Sequence, residues 1–214
     1  MPPPPWTDVD ITIGAAGGHY EGALRDIIHA YKYEGRRSLA QPLGQLMRNA
    51  GVALLEDADC IVPVPLHPWR RLRRGFNQAV DLANALNRPV VNALWRARST
   101  APQMALPAQS RRTNVRDAFI LSPRYRASLS GRHIENRIVV LVDDVRTTGA
   151  TLNACAKVLK RAGVREVRAL TAAIADPPGS IHQLARHSAP TAQFTSRVFS
   201  SEGDRNGESK EGSP

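Results

Sequence analysis

The run Ile138-Val139-Val140-Leu141-Val142 most limits how this chain can fold. Unbroken apolar, mostly β-branched residues read as a strand covered on both faces. Such strands belong in a parallel sheet flanked by helices. Asp143 and Asp144 end the run. The loop Arg146-Thr147-Thr148-Gly149-Ala150-Thr151 follows. Thr151 to Ala162 then has helical spacing, with Leu152, Cys155, Val158 and Leu159 inward and Gly163 as the C-cap. Open α/β sheets bind ligands at the carboxyl ends of their strands. The two acids stand at such an end.

The rest of the chain alternates in the same way. Residues 1–18 are rich in Pro and Gly and read as a mobile lead-in. Leu24, Ile27, Ile28 and Tyr31, then Leu39, Leu43, Leu46 and Met47, predict two amphipathic helices separated by the basic turn YKYEGRR. Cys60 to Pro65 reads as a short buried strand cut off by prolines. An arginine-rich loop leads from it into a helix with Phe76, Val80, Ala83 and Leu86 on one face. Asn77 and Gln78 stand where they would cap that helix or steady the loop before it. Pro89 to Trp95 and Val167 to Ala175 read as further strands. The stretch from Arg96 to Phe119 has no clear period. It is long for a connection inside a compact domain, which marks a lid or a disordered loop. After residue 176 the composition turns to Pro, Gly, Ser and charge, so 177–214 reads as a disordered tail. The pattern is that of an α/β domain over residues 19–176 with a mostly parallel sheet.

Bulk properties narrow the class. With 214 residues and 42% hydrophobic content the chain can bury a real core. It has no apolar run long enough to span a membrane, and no secretory signal is read at its start. Two distant cysteines, Cys60 and Cys155, make neither a disulfide framework nor a zinc site. A reducing cytoplasm is the expected compartment. The net charge of +10 admits nucleic acid, anionic membrane or phosphorylated small molecules, and does not choose among them.

The loop after the acids does choose. Backbone N–H groups and the dipole at a helix N-terminus favour a phosphate. Gly149 lets the backbone come close, and Thr147, Thr148 and Thr151 add hydroxyls. Arg146 puts a positive charge inside the loop, directed at a phosphate or at solvent. Carboxylates beside a phosphate repel it unless they face hydroxyls of the same ligand, or the waters of its magnesium. A ribose 5-phosphate meets both demands. The alternatives for two adjacent acids alone are a phosphoacceptor or phosphatase pair, or a simple helix cap. A Walker A loop is excluded, because no lysine stands in the loop.

VVLVDDVRTTGAT resembles the phosphoribosyl pyrophosphate (PRPP) signature of type I phosphoribosyltransferases. VPVPLHPWRRLRRGFNQA, YKYEGRRSLAQPLG and RSTAPQMALPAQSRRTNVRDAF are similar to segments of the ComF family, phosphoribosyltransferase-like proteins linked in some bacteria to competence for DNA uptake. The resemblance spans about residues 20–175. The four-cysteine zinc module with which many of those proteins begin has no counterpart before His19.

The resemblance implies a Rossmann-like type I phosphoribosyltransferase fold with a small N-terminal hood, Tyr20 to Tyr33, and a flexible lid. It implies PRPP bound with Mg²⁺, and phosphoribosyl transfer to a base or amine acceptor with release of pyrophosphate. Asp143 and Asp144 would be the catalytic pair. Arg146 to Thr151 would bind the 5-phosphate. Leu66, His67, Arg73 and Arg74 would take the pyrophosphate, with Leu66 and His67 the candidates for a cis peptide. Arg98, Gln103 and Arg111 would lie in the lid, with Asn114 and Phe119 anchoring its end. The competing reading is a non-catalytic protein that binds PRPP, a nucleotide or single-stranded DNA. A competence-machinery protein and a second copy of the chain are the further partners left open.

Overall fold

The five apolar residues are buried on both faces, as their pattern requires. The computed structural model describes residues 10–66, 75–97, 118–127 and 134–175. All of these lie in a unit spanning Met1–Pro178, while the unit Gly179–Pro214 and the whole of the expected tail, 177–214, lie outside the described residues. In chain order the elements are β1 (Ile13–Ala16), α1 (Gly22–Tyr33), a 3-10 turn (Arg37–Leu39), α2 (Ala40–Ala50), α3 (Val52–Leu55), β2 (Cys60–Pro63) and α4 (Gln78–Asn84). Then come β3 (Leu94–Arg96), β4 (Phe119–Leu121), α5 (Pro123–Ala127), β5 (Ile138–Arg146), α6 (Ala150–Arg161) and β6 (Glu166–Ile174).

Four strands form a parallel sheet in the order β1-β6-β5-β2. Strand alternation divides its side chains between two cores. Val139, Leu141, Val167 and Ala169 face Leu152, Cys155 and Leu159 of α6, together with Leu94 and Phe119 of the antiparallel pair β3–β4. Val140, Val142, Leu170 and Ala172 face Ile28 and Tyr31 of α1, Leu43 and Met47 of α2, and Leu82 of α4. The domain is thus a three-layer α/β sandwich. No helix among the described residues is long and apolar enough to cross a membrane.

Four expectations change. Residues 1–18 are not all lead-in, because Ile13–Ala16 pairs with β6 as an edge strand and Ile11 is buried. Gly17 is there for space, since a Cβ on it would stand 2.7 Å from both the Ala172 carbonyl and Leu46 of α2. Pro89 to Trp95 is not one strand. Val90 bridges to Ile61 beside β2, and the chain then leaves the main sheet to form β3. The helix after the arginine loop begins at Gln78, so Phe76 packs in the core from before it and Leu82 takes the deepest place that Val80 was expected to share. Ile27 is turned outward and is 38% exposed. Among the described residues no peptide bond is cis, and the Leu66–His67 bond involves a residue outside them.

Candidate functional site

Strand β5 does not stop where its apolar run stops. β2 pairs with it only as far as Val142, whereas β6 follows it on to Arg146. Asp143 and Asp144 therefore lie inside the strand, past the end of one neighbour and still bonded to the other. Successive strand residues point to opposite faces. Asp143 continues the row of Val139 and Leu141 toward α6, and Asp144 continues the row of Val140 and Val142 toward α1.

The electrostatics follow this division. Asp144 forms an ion pair with Lys32 of α1, Oδ1 to Nζ 2.7 Å, with the two side chains only 15% and 14% exposed. Its charge also reaches Tyr31, whose phenol is pushed up by burial first and then by Asp81 and Asp144. Asp143 is on the other side. Its Oδ1 accepts the Asp144 backbone N–H at 2.8 Å. Burial raises its pKa to about 7, and the neighbouring Asp144 charge adds to the rise, against the Asp144 N–H, Lys32 and Arg96. The Cys155 thiol in α6 is raised well above its ordinary value by burial and then by Asp143. It stays protonated and unreactive.

The loop between β5 and α6 has the shape its sequence suggests. Gly149 stands at the N-cap of α6 with φ 76°, in the left-handed region. It is buried, while Thr147 and Thr148 are exposed. Thr148 Oγ1 accepts the Ala150 N–H at 3.4 Å. Ala150 and Thr151 open the helix half-buried. Arg146 folds over the loop, with its Nε 3.2 Å from where a Cβ on Gly149 would stand.

On the far side of β2, Leu66 is half-buried at the start of the arginine loop. It lines a cavity of about 1020 Å³ with Pro65, Asn77, Trp95 and Arg96. Asn77 does both of the jobs suggested for it: its Oδ1 caps α4 through the Ala79 N–H at 3.2 Å, and its Nδ2 donates to the Val64 carbonyl at 3.3 Å. His67, Arg73, Arg74, Arg98, Gln103, Arg111 and Asn114 lie outside the described residues. Phe119 is buried in β4.

Two cations near the acids escaped the sequence reading. Lys32 sat in a turn that read only as basic, and its place at the polar border of α1 was the available signal. Arg96 of β3, its guanidinium 5.3 Å from the Phe119 ring, comes from a segment read as patternless. Among the described residues no three His, Cys, Asp or Glu side chains gather as a metal site. Asp143 and Asp144 are the acids that would hold a magnesium ion if a ligand brought one on its phosphates, where a protein commonly contributes only one or two carboxylates. They do not make a protein cage.

The acid pair inside β5, the glycine-turned hydroxyl loop and α6 fall within a stretch of sequence that matches a known domain. The description is "phosphoribosyl transferase domain", and the match covers residues 72–193. Competence protein F of Haemophilus influenzae is 37% identical over 161 residues, covering 71% of this chain and 68% of that one. DNA utilization protein YhgH of Escherichia coli K12 is 35% identical over 179 residues, covering 78% and 71%. Among solved structures, the allosteric regulatory enzyme of purine biosynthesis is 23% identical with a TM-score of 0.42, covering 67% of this chain and 30% of that chain. Orotate phosphoribosyltransferase from Aeropyrum pernix is 18% identical with a TM-score of 0.39, covering 72% and 80%. The chain belongs to the phosphoribosyl transferase domain family, with the type I fold. Within that family its place is with the ComF proteins, beside competence protein F.

Proposed function

We propose that the chain binds PRPP with Mg²⁺ and transfers the phosphoribosyl group to a nitrogenous acceptor, releasing pyrophosphate. The observation that carries this is the placing of Asp143 and Asp144 in the part of β5 that extends past β2, close in sequence to the exposed Thr147 and Thr148 and the left-handed Gly149 at the N-terminus of α6. The loop from Arg146 to Thr151 takes the 5-phosphate by backbone N–H groups, hydroxyls and the Arg146 guanidinium. Asp143 and Asp144 address the ribose hydroxyls. As the bond from C1 to the diphosphate oxygen breaks, positive charge grows on the ribose ring, and these carboxylates stabilise it. The leaving diphosphate goes to the loop beginning at Leu66, with His67, Arg73 and Arg74 as its further ligands. Losing one donor to such developing charge costs about 3 kcal/mol. Asp143 and Asp144 would help to hold the magnesium, which when bound would neutralise charge on the diphosphate.

Calorimetry with Mg²⁺ and PRPP, followed by a screen of nucleobases and amines for pyrophosphate release, tests the reading. Saturable binding and release with at least one acceptor are expected. Asp143→Asn combined with Asp144→Asn should remove turnover, and unchanged turnover in that double variant sinks the proposal. The net charge of +10 and the naming of relatives for competence and DNA utilization favour a second reading, a DNA-binding accessory. Affinity for single strands that falls steeply with salt, with no pyrophosphate released from PRPP by any acceptor, would select it.

A further inference from the structure

The last turn of α1 is fixed unusually well for a helix end. Tyr31 is fully buried, donates its hydroxyl to the Gln78 carbonyl at 3.0 Å and packs its ring 5.7 Å from Phe76. Just beyond, Arg37 grips both carboxylate oxygens of Asp81 at 2.8 Å. Lys32 is held between these two anchors, and its ammonium meets Asp144 across 112 residues of sequence (144 − 32). An ion pair so far withdrawn from water adds little net stability, because desolvation cancels most of its attraction. What it does supply is geometry: a cation held on a rigid support restricts where the carboxylate oxygen it pairs with can point. There is also a charge argument. Asp143 and Asp144 are adjacent acids whose charges oppose each other, and the Lys32 ammonium offsets that repulsion on the face of Asp144.

We propose that Lys32 is a positioning residue for the ribose site: through its ion pair it holds the Asp144 carboxylate in the orientation that receives the sugar hydroxyls, so that α1 is part of the site. This rests on the phosphoribosyl reading above. The chemical class addressed is a ribose 5-phosphate, with or without a diphosphate at C1. Because Lys32 acts through Asp144, its loss weakens every ligand that offers the sugar hydroxyls.

The test uses the full chain and two probes, ribose 5-phosphate and Mg²⁺–PRPP, by calorimetry. Lys32→Met should weaken both by about the same factor, tenfold or so, a loss of about 1.4 kcal/mol. Lys32→Arg should recover part of the loss. Asp144→Asn should weaken both as well, and adding Lys32→Met to it should cost nothing further, the non-additivity expected of residues that act as one unit. Thermal melts confirm that each variant folds, and if Lys32→Met does not, Lys32→Gln takes its place. Losses that add, or a loss confined to PRPP with ribose 5-phosphate untouched, overturn the proposal, the latter by showing direct contact with the diphosphate. Equal binding by Lys32→Met and the unaltered chain overturns it alone. Failure of the unaltered chain to bind either probe overturns the phosphoribosyl reading and this inference with it.

Discussion

Gly149 carries a backbone conformation that an L side chain resists by about 1–2 kcal/mol, and a Cβ there would meet the Arg146 guanidinium at 3.2 Å. Gly149→Ala should therefore lower stability by about that amount and push Arg146 out of the loop. Ribose 5-phosphate affinity should fall with it, as calorimetry would show. Asp143 makes a prediction about pH. Its folded-state pKa, near 7, lies above the value of about 4 for an unfolded aspartate. The folded chain binds the extra proton over that interval, so this group's share of stability is full below about pH 4 and is lost as pH rises through about 7. Asp143→Asn removes the loss. Its melting temperature relative to the unaltered chain should climb between about pH 4 and about pH 7 and level off above, and a difference that stays flat throughout would contradict the assignment.

Among the elements, α2 and the end of α4 approach so closely that a Cβ on Gly44 would stand 2.4 Å from that of Ala85. Gly44→Ala should cost about 1–3 kcal/mol by forcing the helices apart, measurable by urea denaturation. At the opposite end of the sheet from the acids, Arg168 of β6 binds Glu166 at 2.8 Å, pairs with Asp57, and donates to the Leu54 carbonyl at 3.0 Å at the end of α3. Arg168→Ala should lower stability by about 1.5–3 kcal/mol, the usual worth of charged hydrogen bonds, without touching ligand affinity. These elements differ in how far the sequence announced them. β5 and α6 declared themselves because period and composition agree over more than twenty residues, from Ile138 to Arg161. The acid pair could be found in the same way. β1 was hidden because the glycines in and just after it signal flexibility in a string of letters, whereas Gly17, which follows the strand, marks close packing against Leu46. Lys32 was hidden for a different reason. Its partner comes from another element, and no local pattern records a pairing between α1 and β5. The opposite facing of Asp143 and Asp144 was legible in principle, but only once the strand was known to run through them.

For the molecule as a whole, the sheet order sets a gradient of protection. β5 and β6 are paired along most of their length and buried on both faces, while β1 is an edge strand with Ile13 45% exposed. Hydrogen exchange should be slowest at Val139 to Val142 and Val167 to Ala172 and fastest, among strands, at Ile13 to Ala16. Equal protection across the four strands would contradict the topology. The same order has a consequence for how the chain is made. The two strands synthesised first, β1 and β2, end at opposite edges of the main sheet, and the strands that pair with them there, β6 and β5, are synthesised last. A ribosome must therefore hold out more than half the domain with its early strands unsatisfied, save for the single bridge at Val90. Loop-closure entropy delays such long-range pairing, and exposed strand edges invite the wrong partners meanwhile. Until Ile174 has emerged, β1 lacks the strand it pairs with and β5 lacks the neighbour that flanks its acids, so the candidate site is completed only at the end of the domain.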